Sequence, residues 1–281
     1  MDFLRPLTWA EALEMKAERP DATPIQGGTD VMVEINLDKG RPTALLDLAA
    51  VAELAEWTRD NGTVRLGAGV SYTRLIAELA GDLPGLAQAS RTVGSPQIRN
   101  RGTVAGNLGA ASPAGDSHPP LLATGAEVEA ESVRGSRMIA ITDFYRGVKR
   151  NALEPDELIR AVRIPVATGP QYFSKIGTRN AMVIAVSSFA IAFDGRRVGT
   201  GIGSAAPTPR RAPEAEAFLE SALDWSGPLD ADVARRFGEL VRDAAAPIDD
   251  VRGTRDYRLH SLAVMARRTL TWAWEDHLRC A

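Results

Sequence analysis

The feature that most constrains this chain is a glycine-rich stretch from Thr92 to Leu122. It contains five glycines, with short hydrogen-bonding side chains between them, in the sequence TVGSPQIRNRGTVAGNLGAASPAGDSHPPLL. Because glycine has no Cβ, the backbone can take positive φ angles there or come close to a ligand. Such a run favours a binding loop for phosphate and polyol groups, rather than a core element. A glycine- and proline-rich surface loop without a ligand is the alternative.

A second glycine turn lies nearer the N-terminus. A short predicted strand leads through Gly27, Gly28, Thr29 and Asp30 into an amphipathic segment, in the sequence ATPIQGGTDVMVEI. In this strand–glycine–helix order, backbone N–H groups can point at an anion, although a plain tight turn gives the same pattern. The apolar segment TALLDL, residues 43–48, would pair parallel to the first strand and complete a small βαβ unit.

Local signals predict α+β structure along the rest of the chain. A helix is expected over 9–18 with Thr8 as its N-cap, a hairpin at Asn61-Gly62, and a helix capped by Ser71. The segments EVEAESV, RMIAI and LIRAVRIP read as strands. After a linker at 167–170, three strands (YFSKIGTR, MVIAVSSFAIAF and RRVGTGIGSAA) and then three helices predict a separate antiparallel α+β domain.

Composition excludes several classes of protein. A chain of 281 residues with 44% hydrophobic and 25% charged residues is typical of globular proteins. Its longest apolar runs fall short of the roughly 20 residues needed to span a bilayer, and no secretory signal is visible, so a cytoplasmic location is expected. The net charge of -3 argues against a general nucleic-acid-binding protein. The single cysteine, Cys280, provides no cysteine-ligated metal centre, so any redox metal must lie on a partner.

The candidate chemistry is cofactor binding rather than hydrolysis or metal catalysis. The chain has three histidines and no compact Ser/His/Asp group, and it has neither a G-x-G-x-x-G motif that opens a helix nor a P-loop. His118 is expected to be a surface-loop histidine. We therefore predict no catalytic and no metal-ligating residue. Two separate glycine turns suggest a long ligand with a pyrophosphate, held by two subdomains, which is the geometry of a dinucleotide site.

Three motifs, in this order and spacing, carry a family resemblance: PIQGGTDVMVEI, TVGSPQIRNRGTVAGNLGAASPAGD and YFSKIGTR. They resemble the FAD-binding, medium subunit of molybdenum hydroxylases, the xanthine dehydrogenase and carbon monoxide dehydrogenase family. The C-terminal segments APTPRRAPEAEAFL and DDVRGTRDYRLH are also similar to that family.

The resemblance implies an α+β fold with two parts. The first is a vanillyl-alcohol-oxidase-type FAD-binding domain over 1–168, with subdomains at about 1–55 and 56–168. The second, over 171–281, is a C-terminal domain with a three-stranded antiparallel sheet and helices.

The resemblance also implies a set of FAD-binding residues. The segment Ile25 to Met32 would wrap the pyrophosphate through backbone N–H groups, and Thr103, Gly106 and Asn107 would continue that wrap. Where the family commonly has T-I-G-G-N, this chain has Ala105, so that residue's φ is negative or the backbone there stands farther from the cofactor. The full predicted set is Ile25, Gln26, Gly27, Gly28, Thr29, Asp30, Val31, Met32, Val93, Thr103, Gly106, Asn107, Ser112, Asp116, Ile159 and Lys175.

Three members of this set are given more particular roles by the resemblance. Asp116 would hold a ribityl or ribose hydroxyl, a role that suits a carboxylate acceptor; a helix N-cap is the alternative. Ile159 and Lys175 would flank the isoalloxazine ring, with the lysine stabilising the anionic reduced flavin. Without the resemblance, Lys175 would be predicted to face solvent.

The function implied by the resemblance is electron transfer. Electrons from a molybdenum-pterin cofactor on a large partner subunit would pass through [2Fe–2S] clusters on a small partner subunit to FAD on this chain, and then to an external acceptor. A dimer of heterotrimers is the expected assembly. A stand-alone FAD-dependent oxidoreductase and an assembly subunit without FAD are the alternatives.

Overall fold

The structure is a computed structural model that describes residues 1–280. The N-terminal region contains a small parallel sheet. Its strands lie in the order β1-β3-β2, and both strand pairs are parallel. The elements of this region are β1 (Asp2–Leu4), α1 (Trp9–Glu18), β2 (Thr23–Ile25), α2 (Val31–Asn36), β3 (Ala44–Asp47) and a 3-10 turn (Ala52–Leu54). The predicted first helix is confirmed, with Thr8 and Glu11 forming a capping box. The parallel pairing of β2 with β3 is also confirmed.

A five-stranded antiparallel sheet, in the order β4-β5-β10-β6-β7, forms the next region. Asn61 and Gly62 both have positive φ, 47° and 74°, as the predicted two-residue hairpin turn requires. The elements of this region are β4 (Trp57–Asp60), β5 (Thr63–Gly67), α3 (Tyr72–Glu78), α4 (Pro84–Thr92), α5 (Pro96–Arg101), α6 (Val104–Ala110), α7 (His118–Thr124), β6 (Glu127–Ser132), β7 (Gly135–Ala140), α8 (Ile141–Phe144), β8 (Tyr145–Gly147), β9 (Arg150–Asn151) and β10 (Leu158–Pro165).

The prediction that the glycine-rich stretch is a loop outside the core is wrong, although residues of the stretch do line the cleft described below. The stretch folds into α5, α6 and the start of α7, and its Val104 and Leu108 side chains are buried in the main core. Thr103 caps α6 by accepting a hydrogen bond from Gly106 N at 2.9 Å. Short helices form here because Ser and Thr caps and prolines in the first turn start them, and these signals outweigh the low helix propensity of glycine.

The C-terminal region is a three-stranded antiparallel sheet covered by helices, as predicted. Its elements are β11 (Gln171–Ile176), β12 (Ser187–Asp194), β13 (Arg197–Gly203), α9 (Pro213–Ala222), α10 (Ala231–Asp243) and α11 (Arg255–Cys280). The predicted strand MVIAVSSFAIAF begins only at Ser187. Met182 takes a left-handed φ of 51°, and Val186 N closes the preceding loop by donating to Ile176 O at 2.7 Å.

The C-terminal sheet packs directly on α7. A Cβ added to Gly199 would lie 1.9 Å from Ala123 O, and one added to Gly201 would lie 2.0 Å from Pro119 O. Since only glycine permits this approach, β13 and α7 are in backbone contact. Because β11 belongs to the same sheet as β13, this packing places β11 beside the residues that precede α7, where the candidate site lies. The division into 1–168, with subdomains at about 1–55 and 56–168, and 171–281 is retained as a proposal.

Among residues 1–280, no helix is both long and apolar enough to cross a membrane. Over the same residues, no group of histidine, cysteine and acidic side chains has the arrangement of a metal site.

A candidate dinucleotide-binding cleft

A cleft of about 710 Å³ lies between the two glycine turns. The turn at Gly27 forms one wall, and the N-terminal end of α6 with Asp116 forms the other. Leu158 and Ile159 at the start of β10 line it from the large sheet, while Val183 and Ile184 reach it from the C-terminal region. The volume lies within the range of small-molecule and cofactor sites.

The first wall exposes peptide groups to the cleft. The backbone N–H groups of residues 26–30 donate to no acceptor within residues 1–280, and these residues line the cleft. A Cβ on Gly27 would lie 2.0 Å from Arg101 O, so glycine is needed for this turn to pack against the end of α5. Gly28 has a φ of 73°, a left-handed conformation that favours glycine. Five consecutive free donors are suited to phosphate oxygens.

The second wall is held by side-chain hydrogen bonds behind it. Ser117 Oγ donates to Asn107 Oδ1 at 2.7 Å and lies 2.9 Å from the Tyr72 hydroxyl. Ala105, where the family commonly has glycine, is helical and does not have positive φ, which agrees with the first of the two expectations for this residue. Ala105 is buried in the core and also belongs to the lining of the cleft.

Asp116 and Lys175 form a buried ion pair at the end of the second wall. Lys175 Nζ lies 2.5 Å from Asp116 Oδ2 and also donates to Thr92 O at 3.1 Å. Burial raises the pKa of Asp116 above its usual value, while Lys175 and the Thr92 hydroxyl oppose that shift. Ser117, not Asp116, occupies the N-cap of α7, so the helix-cap alternative for Asp116 is wrong. The prediction that Lys175 would face solvent, made without the resemblance, is also wrong.

His118 is fully buried, which contradicts the prediction of a surface-loop histidine. Its ring lies edge-on to Tyr145, with 5.1 Å between the ring centroids, and behind Gly115. Neither ring nitrogen has a hydrogen-bond partner of normal geometry within residues 1–280. Burial lowers the pKa of His118 to about 3, and the Ser112 backbone opposes the shift. A neutral histidine behind the cleft wall is therefore part of the core.

Most of the predicted FAD-binding residues line this cleft. Outside its lining lie Met32, Ser112 and Lys175. Met32 is exposed beside Gly28, and Lys175 is separated from the cleft by Asp116. The lining residues that the sequence did not indicate include Lys16, Glu34, Tyr72, Lys149, Leu153, Leu158, Val183 and Ile184.

The donor set fits FAD. Free peptide N–H groups at 26–30 match a pyrophosphate, and the buried Oδ1 of Asp116 and Oε1 of Gln26, both without partners in residues 1–280, can accept from cofactor hydroxyl or amino groups. The apolar side chains of Leu153, Leu158 and Ile159 provide surface for an aromatic ring.

Family models extend this conclusion to nearly the whole chain. Residues 1–167 match the FAD binding domain in molybdopterin dehydrogenase, and residues 172–273 match the CO dehydrogenase flavoprotein C-terminal domain. The chain is therefore a FAD-binding flavoprotein of the oxidoreductase class. It belongs to the FAD-binding subunits of the molybdenum hydroxylase family, the xanthine dehydrogenase and carbon monoxide dehydrogenase type.

Individual relatives match over almost their full length. The xanthine dehydrogenase FAD-binding subunit of Escherichia coli O157:H7 is 31% identical over 285 residues, which cover 96% of this chain and 95% of the relative. The carbon monoxide dehydrogenase medium chain of Afipia carboxidovorans is 31% identical over 279 residues, with the same coverage of 96% and 95%.

A solved structure gives the same answer. A chain of quinoline 2-oxidoreductase from Pseudomonas putida 86 superimposes with a TM-score of 0.91 at 26% identity, covering 99% of this chain and 98% of that chain. The family resemblance, the fold class and FAD as the cofactor of this chain are thus confirmed.

Proposed function

We propose that this chain is the electron-transfer subunit of a heteromeric molybdenum hydroxylase. Electrons reach it from a molybdenum-pterin centre on a large subunit through [2Fe–2S] clusters on a small subunit, and leave it for an external acceptor. The observation that carries the proposal is the end-to-end match to proteins named as a FAD-binding subunit and a medium chain, each covered to 95% of its own length. Those relatives are named for different substrates, as expected if the organic substrate binds in another subunit.

In this proposal the residues of the cleft bind and orient the cofactor. Bound FAD supplies the redox chemistry, while the protein sets its position and electrostatics. The peptide N–H groups at 26–30 hold the pyrophosphate. On the opposite wall, Thr103, Gly106 and Asn107 line the cleft, and the donor there is the Asn107 side-chain amide, because the Gly106 and Asn107 N–H groups already donate to Thr103. Asp116 accepts a hydrogen bond from a cofactor hydroxyl through Oδ1, since Oδ2 is already held by Lys175 and Thr92. Leu158 and Ile159 exclude water from one side of the cleft.

We assign Lys175 a different role from the one that the resemblance implies. Its side chain is 8% exposed and its ammonium is spent on Asp116 and Thr92 O. We therefore assign it to holding the Asp116 carboxylate in place, as a positioning residue, instead of direct contact with the reduced flavin.

The test is co-expression of the chain with its genomic neighbours, followed by size-exclusion chromatography and anaerobic reduction. One complex should contain molybdenum, iron and FAD, in the stoichiometry of a dimer of heterotrimers, and cell fractionation should place it in the cytoplasm. The flavin absorption should bleach on addition of the organic substrate only when both partners are present. A lone chain that turns over a substrate would establish the stand-alone oxidoreductase, and a purified chain without flavin absorption would establish the assembly subunit.

A further inference from the structure

An ion pair joins two residues of the cleft lining. Lys149, in the turn between β8 and β9, pairs through Nζ with Glu34 of α2, and both residues line the cleft. The two side chains are 53% and 43% exposed, so solvent screens the pair and either partner can move. The interaction is therefore exchangeable, in contrast to the buried pair of Asp116 and Lys175.

The backbone of Lys149 is anchored although its side chain is exposed. Its φ of 53° is left-handed, and its N–H donates to Ala111 O at 3.2 Å, just after α6. Asn151 Nδ2 donates to Gly109 O at 3.0 Å and fixes the other side of the same hairpin. The hairpin is thus tied to the helix whose first turn forms the second wall of the cleft. Its lysine extends from there toward the first wall.

Two acidic side chains, those of Asp30 and Glu34, lie near the Gly27 turn. Asp30 lies at the end of that turn, and Glu34 lies one helical turn further along. Burial raises the pKa of Asp30, the negative charge of Glu34 raises it further, and the positive charge of Lys149 opposes both effects. An anionic ligand at the free peptide groups of residues 26–30 would be repelled by both carboxylates unless a cation lay between them.

Lys149 is the cation available for this task. The other lysine of the lining, Lys16, is buried, and its Nζ donates to Pro20 O at 2.9 Å and Ala22 O at 2.7 Å. Lys175 is held by Asp116. Within residues 1–280, no arginine belongs to the lining of the cleft.

We propose that Lys149 is a cofactor-binding residue that supplies the counter-charge for the diphosphate of FAD, and that its ammonium exchanges Glu34 for a phosphate oxygen when FAD binds. The inference rests on FAD occupying this cleft. The inference also makes Glu34 a competitor of the phosphate for the Lys149 ammonium. The alternative is a latch, in which the ion pair of Lys149 and Glu34 itself closes the cleft.

Paired substitutions distinguish a counter-charge from a latch. In the complex as isolated, the dissociation constant of FAD is measured by flavin fluorescence for Lys149→Met, Glu34→Gln and the wild type, at low and high ionic strength. Lys149→Met should weaken FAD binding about two- to fivefold at low ionic strength, the effect of one partly exposed charge pair, and less at high ionic strength. Glu34→Gln should leave the affinity unchanged or raise it, because it removes a competitor.

The control is Arg41→Met, which breaks the exposed ion pair with Asp38 in the same region, away from the cleft lining. It should not change FAD affinity, and melting temperatures should show that all three variants fold. Equal affinity in Lys149→Met and the wild type overturns the proposal. So does a loss in Glu34→Gln as large as that in Lys149→Met, which would establish the latch. Failure of the wild-type complex to bind FAD at all would instead refute the assignment of the cleft.

Discussion

The Lys175 ammonium lies 2.5 Å from Asp116 Oδ2 and joins the C-terminal sheet to the wall of the candidate cleft. Thr92 completes the contact: its hydroxyl donates to the same carboxylate oxygen at 2.9 Å, and its carbonyl accepts from Lys175 at 3.1 Å. The second oxygen of Asp116 is buried and has no partner within residues 1–280. The Oδ2 atom of Asp116 therefore holds the structure together, while Oδ1 remains a free acceptor on a residue that lines the cleft.

Asp116→Ala should lower FAD affinity and the stability of the chain together. Loss of a charge-assisted hydrogen bond corresponds to a roughly ten- to hundredfold weaker affinity. The substitution also leaves Lys175 buried without its partner, a change that typically costs about 3–5 kcal/mol in the free energy of unfolding. FAD retained after dialysis and denaturant unfolding of the apoprotein measure the two effects separately.

The double variant Asp116→Ala, Lys175→Met is the control for that experiment. It removes the unpaired charge, so part of the lost stability should return while FAD affinity stays low. If Asp116→Ala retains FAD like the wild type, Asp116 has no role in holding the cofactor and only the structural task remains.

Much of the fold follows from local sequence signals. The capping box at Thr8, the Asn61-Gly62 hairpin and the Ser71 cap each act within a few residues, so the sequence alone is enough to locate them. The local sequence does not predict β1, because its three residues form a strand only by pairing with Ala44–Asp47, far along the chain. The short helices α5 and α6 were missed because glycine density masked their capping residues.

The site was less predictable than the fold. The glycine turns are visible as motifs, and they do line the cleft. Burial of Lys175 could not be read from its own strand, because the partner that compensates for it lies 59 residues away. Lys149 lies outside the three motifs, and Glu34, 115 residues away, lies in the first motif but has no role that the sequence indicates. For Tyr72 the sequence offers one weak signal, its position directly after the helix cap Ser71. The structure adds the contact, because Tyr72 N donates to Gly102 O.

Gly27→Ala should disrupt the first wall of the cleft. The added methyl carbon would lie 2.0 Å from Arg101 O and 2.5 Å from its carbonyl carbon, and backbone cannot give way as a flexible side chain can. We expect about 1–3 kcal/mol lower stability of the apoprotein and loss of most bound FAD. The matched control is Gly81→Ala, where a Cβ meets nothing within 4 Å. A Gly27→Ala chain with normal FAD content would contradict the packing of this turn.

FAD should be bound without a covalent link. No histidine or cysteine belongs to the lining of the cleft within residues 1–280: His118 lies behind Gly115, and Cys280 is exposed at the end of α11. Acid precipitation of the purified chain should therefore release all of its flavin into the supernatant, measured by its absorption. Yellow colour that stays in the washed precipitate would show a covalent bond, and peptide mapping would then locate it.

The buried His118 should make the chain sensitive to acid. Its pKa is about 3 in the folded protein, against 6.5 for an unperturbed histidine, because burial disfavours the imidazolium. Between these values the unfolded chain binds a proton that the folded chain does not. The stability contributed by this group is therefore fully present above pH 6.5 and is lost as the pH falls through that window.

Denaturant unfolding of the apoprotein at successive pH values tests this expectation. His118 should contribute a loss of about 1.4 kcal/mol for each pH unit below 6.5. In His118→Leu that contribution should vanish, so the variant's unfolding free energy falls less steeply with acid than that of the wild type, whatever its value at neutral pH. Equal slopes for His118→Leu and the wild type would mean that His118 takes up its proton at the same pH in the folded chain as in the unfolded chain. In that case an acceptor must reach its ring, and the neutral core assigned behind the second wall of the cleft would be wrong.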